Sequence, residues 1–345
     1  MFSKNLKYYR LKKQISKAEL ASMVGVSPMS ITHYENGDRR PDMSVIKLLA
    51  KALDVKTADF ISSRNTNLVF VHGEFRKNSN MAKARQEYIR ESVEEYFNRF
   101  YEVLEYLGGE TLEKSVELGC IKLSGDVEKD GMNLRKYLGF SSSGPISRLV
   151  EQLENKGILI YMLEDENRDF NGINGTINGR PYIAVNRNMT SERIRTTIVH
   201  ELAHLMFDWN SMKIEDNEKY STAIAGSFLF PREDVFRELG ISRKAITTDM
   251  YMVCKEYGIA MSLLVVRAHL CKVISDTVYT KYFRQNGKNE NSRIEKEEST
   301  LFEQLVYRAV NEEEITIQKG AELLKTTHEN VEKYCCYAGN DGWTS

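Results

Sequence analysis

Two histidines and a glutamate stand at a spacing that chemistry can use: His200, Glu201 and His204, in the run RIRTTIVHELAHLMFDW from Arg193 to Trp209. At about 100° per residue, the two imidazoles lie about 40° apart around a helix and one turn apart along it. Both can then face one ion. From Thr197 to Phe207 only Thr197, His200, Glu201 and His204 are polar. On a helical wheel they fall in an arc of about 100°, and the rest of the circumference is apolar. A polar stripe on a buried helix is costly unless its groups are satisfied, and a cation with a water satisfies them. The inert alternative is a pair of core histidines bonded to backbone. A zinc ion there polarises water, and a carboxylate one residue after the first histidine can take the proton and later return it to a leaving amine. H-E-x-x-H on an apolar helix is the zinc-protease pattern. This reading makes Glu201 the catalytic base and calls for one Zn2+ per chain.

A protein zinc site of this kind needs a third ligand. The downstream run IEDNEKYSTAIAGSFLFPRE offers Glu215, Asp216 and Glu218. Only Glu218 opens a helical pattern, with Ile224 and Phe228 as its apolar face. Spacing leaves the choice open. His269, Tyr182 and Tyr220 are candidate transition-state stabilisers. His72, beside Gly73, reads as a loop histidine.

The elements around this helix suggest a mainly α fold with a small β-sheet, of the α+β class. Thr190-Ser191 should cap the histidine helix. Ile158–Met162 and Tyr182–Val185 read as apolar strands. They flank a turn-rich stretch, NRDFNGINGTINGRP, with Asn-Gly three times. Long amphipathic helices are expected over Met81–Leu107 and near Leu134–Lys156. The chain divides into four regions: 1–62, all-helical; 63–165, a helical connecting region that begins the next domain; 166–285, the domain holding the histidines; and 300–338, a last helical module. A polar linker, RQNGKNENSRIEKEES, precedes the last. No internal repeat of fixed period is apparent.

The 345 residues carry a net charge of only −1. That balance hides an asymmetry. Residues 1–65 hold 12 Lys+Arg against 6 Asp+Glu, while the remainder holds 36 against 43. A basic head on an acidic body suggests a polyanionic partner. Within the head, Ser16 to Glu19 is a capping box, and Gly25 supplies a tight turn. Ser27-Pro28 then opens a second helix that runs to Asn36-Gly37. Helix, glycine turn, helix is the plan that lays its second helix in the major groove of duplex DNA. Met29, Ser30, Thr32 and His33 are the exposed candidates for base contact, with Ile31 turned inward. Lys17 can hold phosphate, and Ser27 and Arg39 are further candidates for DNA contact. Five scattered cysteines without a CxxC pair, and a basic start without an apolar core, fit a cytoplasmic protein without a secretory signal. No apolar run approaches membrane-spanning length, so no membrane partner is expected.

Two family resemblances rest on these motifs. Residues 16–53 resemble the XRE or lambda-repressor-like helix-turn-helix proteins, through Leu20-Ala21, Gly25-Val26-Ser27, Tyr34-Glu35-Asn36-Gly37 and Arg39-Arg40-Pro41. The departure is Lys17, where that family often has Gln. Phe170 to Pro231 resembles the ImmA/IrrE metallopeptidases: Pro181-Tyr182-Ile183-Ala184-Val185-Asn186, then Arg195 to His204, Glu218 to Ala225, and Phe228-Leu229-Phe230-Pro231. By that match a zincin-like domain is implied and Glu218 is the third ligand, beside His200 and His204. Ser221 replaces an Ala. Thr222 replaces the Asn or Asp that would buttress a ligating histidine. Phe75-Arg76, Leu134-Arg135, Gly139 and the tail from Phe302 to Leu324 extend the resemblance.

The resemblances imply a cytoplasmic peptidase that cuts a helix-turn-helix transcriptional repressor and so switches on a mobile-element or stress-response gene set. Its DNA-binding head would bind paired half-sites as a homodimer. The alternatives are a transcription regulator with a structural or sensory metal site, and an antitoxin-like binding protein.

Overall fold

The structure is a computed structural model. It describes residues 1–61, 67–73, 81–109, 112–167, 169–285 and 292–335. Phe75-Arg76, part of the linker and residues 336–338 of the last module therefore lie outside the described residues. The chain begins with α1 (Phe2–Lys12), α2 (Lys17–Val24), α3 (Pro28–Asn36) and α4 (Met43–Leu53). A 3-10 turn, strand β1 (Phe70–His72) and the long helix α5 (Lys83–Tyr106) follow. Next come β2 (Ile121–Lys122), α6 (Val127–Tyr137), α7 (Leu149–Glu154), β3 (Leu159–Leu163), β4 (Gly172–Ile177) and β5 (Arg180–Asn186). The histidine helix is α8 (Ser191–Met206), succeeded by β6 (Phe207–Asp208), α9 (Asn217–Leu229), α10 (Arg232–Leu239), α11 (Met250–Tyr257), α12 (Met261–Leu270) and α13 (Asp276–Gln285). Helices α14 (Leu301–Asn311), α15 (Ile317–Leu324) and α16 (His328–Cys335) end the described chain. The fold is mainly helical with a small mixed sheet, and no described helix is long and apolar enough to cross a membrane.

Contacts gather these elements into two units that do not follow the linear division read from sequence. The first unit joins Met1–Val69, Ser79–Thr111 and Glu303–Ser345; the second joins Phe70–Asn78 and Leu112–Phe302.

In the first unit, α1 to α4 close around Leu6, Leu20, Ile31, Leu49 and Phe60. Ser16 Oγ accepts from Glu19 N at 3.1 Å while Glu19 Oε2 accepts from Ser16 N at 2.6 Å, so both orphan amides of the helix start are satisfied. Gly25 ends α2 at φ 72° and Gly37 ends α3 at φ 83°, the left-handed region where a side chain is strained. Arg10 and Glu35 form a buried bidentate pair beneath the two helices, at 2.5 and 3.0 Å. The long helix read from Met81–Leu107 is α5. It sits with this bundle and not with the region that follows it in sequence: Ile89, Val93, Phe97 and Phe100 are buried, Tyr88 stacks on Tyr8, and its acidic side chains meet lysines of the bundle. Glu94 pairs with Lys4 at 3.0 Å and Glu87 with Lys7 at 2.6 Å. Further along, Glu102 pairs with Lys319 at 2.6 Å and Glu95 with Lys325 at 2.8 Å.

The second unit is built on a four-stranded sheet in the order β1-β4-β5-β3, with β3 parallel to β5 and the other pairs antiparallel. Of the three Asn-Gly pairs, only Asn178-Gly179 forms the hairpin turn. Both residues have positive φ (50° and 83°) between paired Ile177 and Arg180, as a two-residue type I′ turn requires. Asn171-Gly172 leads into β4 and Asn174-Gly175 lies within it, because ladder bonds to β5 override the local turn preference. Helix α8 packs on β4, β5 and α9. Gly172 makes the closest approach: a Cβ there would stand 2.7 Å from Thr197 Cγ2 and 3.3 Å from Glu201 Cγ.

Two further expectations are corrected. The single helix near Leu134–Lys156 is two, α6 and α7. Gly139 and Gly144 take φ values of 68° and 86° between them. The buried Arg135 guanidinium donates to the carbonyls of Phe228, Ser141 and Gly144 and so organises the intervening loop. The last part of the polar linker is not a free spacer either. Glu192 accepts from Ser292 Oγ at 2.9 Å and Arg293 N at 2.8 Å. Buried Glu297 pairs with Arg195, and its carboxylate also lies 3.4 Å from the amides of Leu149 and Val150 that start α7.

Ser299 Oγ donates to Glu154 at 2.6 Å. Burial pushes the Glu154 carboxyl from its ordinary 4.5 up to about 7, against the lowering effect of that hydrogen bond. The folded chain therefore keeps a proton that the unfolded chain releases. The sign follows: the contribution of this group to stability is fully present below about pH 4.5 and is lost as pH rises through about 7. Chemical unfolding between about pH 5 and pH 8 should show this fall, on the order of 1–3 kcal/mol. Glu154→Gln should remove that contribution to the slope; an identical slope in the variant would show that the carboxyl is not the source.

Candidate metal centre and DNA-facing helix

The floor of the candidate site is α8. Thr190 takes the extended N-cap conformation, and the helix then runs with a buried face of Ile194, Ile198, Leu202 and Ala203 against the core. His200 and Glu201 are buried and His204 is half-buried. Helix α9 crosses it, begun by Asp216, whose side chain accepts from Lys219 N at 3.1 Å. That start brings Glu218 over the two imidazoles. Asp216 is thus the cap, and Glu218 is the acid that reaches the histidines.

Three pairs of facing atoms define the site. His200 Nε2 and His204 Nε2 are 3.3 Å apart. Glu218 Oε2 is 3.3 Å from His200 Nε2, and Glu218 Oε1 is 3.4 Å from His204 Nε2. Four ligands about 2.0–2.1 Å from a tetrahedral zinc stand about 3.3–3.4 Å from one another. The separation of the two imidazole nitrogens matches an edge of a zinc tetrahedron, and each Glu218 oxygen stands at that distance from one imidazole; taken as one ligand atom per residue, the three donors lie within 4.8 Å of one another. Among the described residues, this is the one cluster of three His, Cys, Asp or Glu side chains positioned to hold a metal.

The far nitrogens of both rings are fixed by hydroxyls. Thr222 Oγ1 donates to the carbonyl of Glu218 at 2.9 Å and stands 3.1 Å from His200 Nδ1. Ser221 Oγ donates to the carbonyl of Asn217 at 2.8 Å and stands 3.5 Å from His204 Nδ1. A hydroxyl whose own proton is committed elsewhere can only accept from the ring. Each Nδ1 then carries the proton, and each Nε2 presents a lone pair. Two lone pairs and a carboxylate converging at 3.3–3.4 Å repel unless a cation lies between them. Trp209 packs its ring 5.4 Å from that of His204 and 6.3 Å from that of Tyr220.

Glu201 points from the same helix toward β4. Its Oε2 accepts from Asn174 Nδ2 at 2.7 Å. The sequence reading did not single out Asn174, because it stands in an Asn-Gly pair that reads as a turn. The alternation of β4, which places 172, 174 and 176 on one face, is the signal that finds it.

The three candidate transition-state stabilisers have their polar atoms engaged elsewhere. Tyr182 OH lies 2.6 Å from His72 Nδ1, so His72 is a strand residue bonded across the sheet and not a loop histidine. Tyr220 OH donates to buried Asp130 at 2.7 Å; burial and that carboxylate both push its phenol pKa up. His269 Nε2 lies 2.7 Å from Asp276, and its ring stacks on Tyr279.

In the first unit, Ser27 Oγ accepts from Ser30 N at 3.1 Å, which starts α3 as the sequence suggests. Ile31 is buried, and Met29 is 62% exposed. Thr32 donates to the carbonyl of Pro28 at 3.2 Å, and His33 Nδ1 lies 3.2 Å from Asp38. Arg39 is exposed. Lys17 is drawn inward, its Nζ 3.6 Å from Glu35.

Comparison with known proteins agrees with both halves. Residues 153–268 match the IrrE N-terminal-like domain. Residues 6–60 match the helix-turn-helix family. The chain thus carries an XRE-type DNA-binding helix-turn-helix domain and an ImmA/IrrE-type peptidase domain. It is 29% identical over 68 residues to the cryptic phage CTXphi transcriptional repressor RstR of Vibrio cholerae, a match covering 20% of this chain and 61% of that protein. It is 31% identical over 70 residues to the uncharacterized HTH-type transcriptional regulator YqaE of Bacillus subtilis (strain 168), covering 20% and 60%. The chain therefore spans about 60% of the length of these curated relatives. No solved structure matches.

Proposed function

We propose that this chain is a cytoplasmic zinc endopeptidase with a DNA-binding head, which cleaves a helix-turn-helix transcriptional repressor and releases a mobile-element or stress-response gene set. The observation that carries the reading is the convergence of His200 Nε2, His204 Nε2 and Glu218 within 3.3–3.4 Å, with both Nδ1 sides held by hydroxyls. Zinc bound there would supply Lewis acidity and bring the pKa of a coordinated water to about 7. Glu201 is placed to act as general base toward a water nucleophile and as general acid toward the nitrogen of the leaving amine. Asn174 holds the carboxylate at the β4 side while this happens. Ser221 and Thr222 keep the imidazoles in the ligating tautomer. The helix-turn-helix domain brings the peptidase to duplex DNA, as a homodimer on paired half-sites. A repressor is the favoured substrate class because the peptidase domain resembles the ImmA/IrrE metallopeptidases.

The test is an incubation of the purified full chain with helix-turn-helix repressors encoded beside it, with and without chelator. Cleavage that chelation stops and zinc restores is expected. A chain that retains one zinc yet cuts none of them would leave the second reading, a transcription regulator with a sensory or structural metal. In that reading Glu201→Gln leaves regulation intact.

Thr222→Ala should weaken zinc binding about 10- to 100-fold, because the ring of His200 loses its orienting partner. Competition with a chromophoric chelator measures this, with helix content as the control for folding. Unaltered affinity would mean that the hydroxyl plays no part in orientation.

A further inference from the structure

The last module repeats the caps, turn and core positions of α1 to α3 in its own α14 to α16. Thr316 caps α15 as Ser16 caps α2: Lys319 N donates to Thr316 Oγ1 at 3.1 Å, and Glu19 N donates to Ser16 Oγ at 3.1 Å. Lys325 ends α15 in the left-handed conformation at φ 54°, and Gly25 ends α2 there at φ 72°. Thr326 N then donates to the carbonyl of Ala321, as Val26 N does to that of Ala21, both at 3.0 Å. Thr327 Oγ1 accepts from Asn330 N at 3.3 Å, as Ser27 Oγ accepts from Ser30 N. The cores correspond as well: Leu6, Ala21 and Ile31 are buried in one, and Val306, Ala321 and Val331 in the other. The same interval in sequence separates the members of every pair. Identities differ too much for the pattern to be legible as a repeat. Gly320 takes the place of Leu20, and a Cβ there would stand 3.0 Å from Val310 and 3.3 Å from Val331.

We propose that α14 to α16 form a second helix-turn-helix, with α16 as a second base-reading helix for duplex DNA. The positions matching Met29, Ser30, Thr32 and His33 are Glu329, Asn330, Glu332 and Lys333, and all four are exposed. Each type has a partner on a base edge in the major groove: glutamate accepts from the cytosine amine, asparagine pairs with adenine, and lysine donates to guanine. The tyrosine next in line, Tyr334, stacks on Tyr307 at 4.9 Å and fixes α16 against α14. Two glutamates on this face bind phosphate poorly. The second motif therefore adds discrimination, while the basic first domain supplies phosphate affinity. Because both belong to one chain, the second engages at high effective concentration once the first is bound. This site stands apart from the peptidase reading and adds a second contact to that of the amino-terminal domain.

The test is selection of duplexes from a randomised library with the full-length chain, followed by titration of the selected sequence by anisotropy. A bipartite site is expected. Asn330→Ala, an exposed change, should weaken binding to that site about tenfold, since one base contact is lost. It should leave binding to a scrambled duplex and the salt slope as in the parent chain. Selection of a single half-site, or full affinity in Asn330→Ala, overturns the proposal. A protein partner lost on Asn330→Ala without any change on DNA overturns it as well, and assigns the face to protein. Thr32→Ala separates the two motifs: loss of all binding in that variant with a single selected half-site leaves only the first as a DNA reader.

Discussion

Glu201→Gln should leave one zinc per chain and lower the rate of repressor cleavage by about 10²- to 10⁴-fold, the contribution expected of a positioned general base. The expectation follows from placement. Glu201 stands beside His200 on α8 but turns toward β4, where Asn174 Nδ2 holds one oxygen at 2.7 Å. It takes no part in the three-atom cluster of His200, His204 and Glu218. Removing its charge should therefore stop proton transfer without loosening the metal. The amide of glutamine keeps the volume of the buried side chain, so thermal stability should change little. Single-turnover cleavage and metal content on the same preparation decide it. A variant that cuts at the parental rate excludes Glu201 as base, and a variant that loses metal places it among the ligands.

Glu218→Ala should abolish zinc retention through dialysis, and with it all cleavage. Glu215→Ala and Asp216→Ala should retain both. The three acids are close in sequence, yet only Glu218 lies within 3.3–3.4 Å of the imidazoles. Asp216 instead caps α9 through Lys219 N. Its loss should therefore loosen the start of α9 and cost little metal. Two imidazoles alone bind zinc orders of magnitude more weakly than two imidazoles and a carboxylate in a closed geometry. Equal zinc content in Glu218→Ala and the parent chain would mean that another group completes the site.

The sequence is most informative where a pattern is local. The polar arc of Thr197, His200, Glu201 and His204 on an apolar helix is a local pattern with a fixed period, and local patterns are legible. So are the capping box at Ser16, the left-handed Gly25 and the Ser27-Pro28 start, since each works through residues three or four apart. The third ligand is less accessible. Spacing leaves Glu215, Asp216 and Glu218 open, the family resemblance points to Glu218, and the choice depends on where α9 crosses α8.

Asn174 is missed for a related reason. Asn-Gly favours a turn in isolation, and only pairing of β4 with β5 makes it a strand residue aimed at Glu201. The replacement of an amide or carboxylate by Thr222 reads as a loss in sequence. In the structure its hydroxyl, with its own proton given to the Glu218 carbonyl, stands 3.1 Å from His200 Nδ1. The grouping of α5 with the first bundle is likewise invisible along the chain. It shows only in contacts between residues far apart in sequence, such as the Tyr8–Tyr88 stack and the Lys319–Glu102 pair.

X-ray absorption at the zinc edge, on the full chain as purified, tests the central claim most directly. One zinc per chain, with two imidazole nitrogens and a carboxylate oxygen near 2.0–2.1 Å and no sulfur, is the spectrum these side chains require. A chain without stoichiometric metal after zinc loading, or a spectrum dominated by thiolate sulfur, would contradict it.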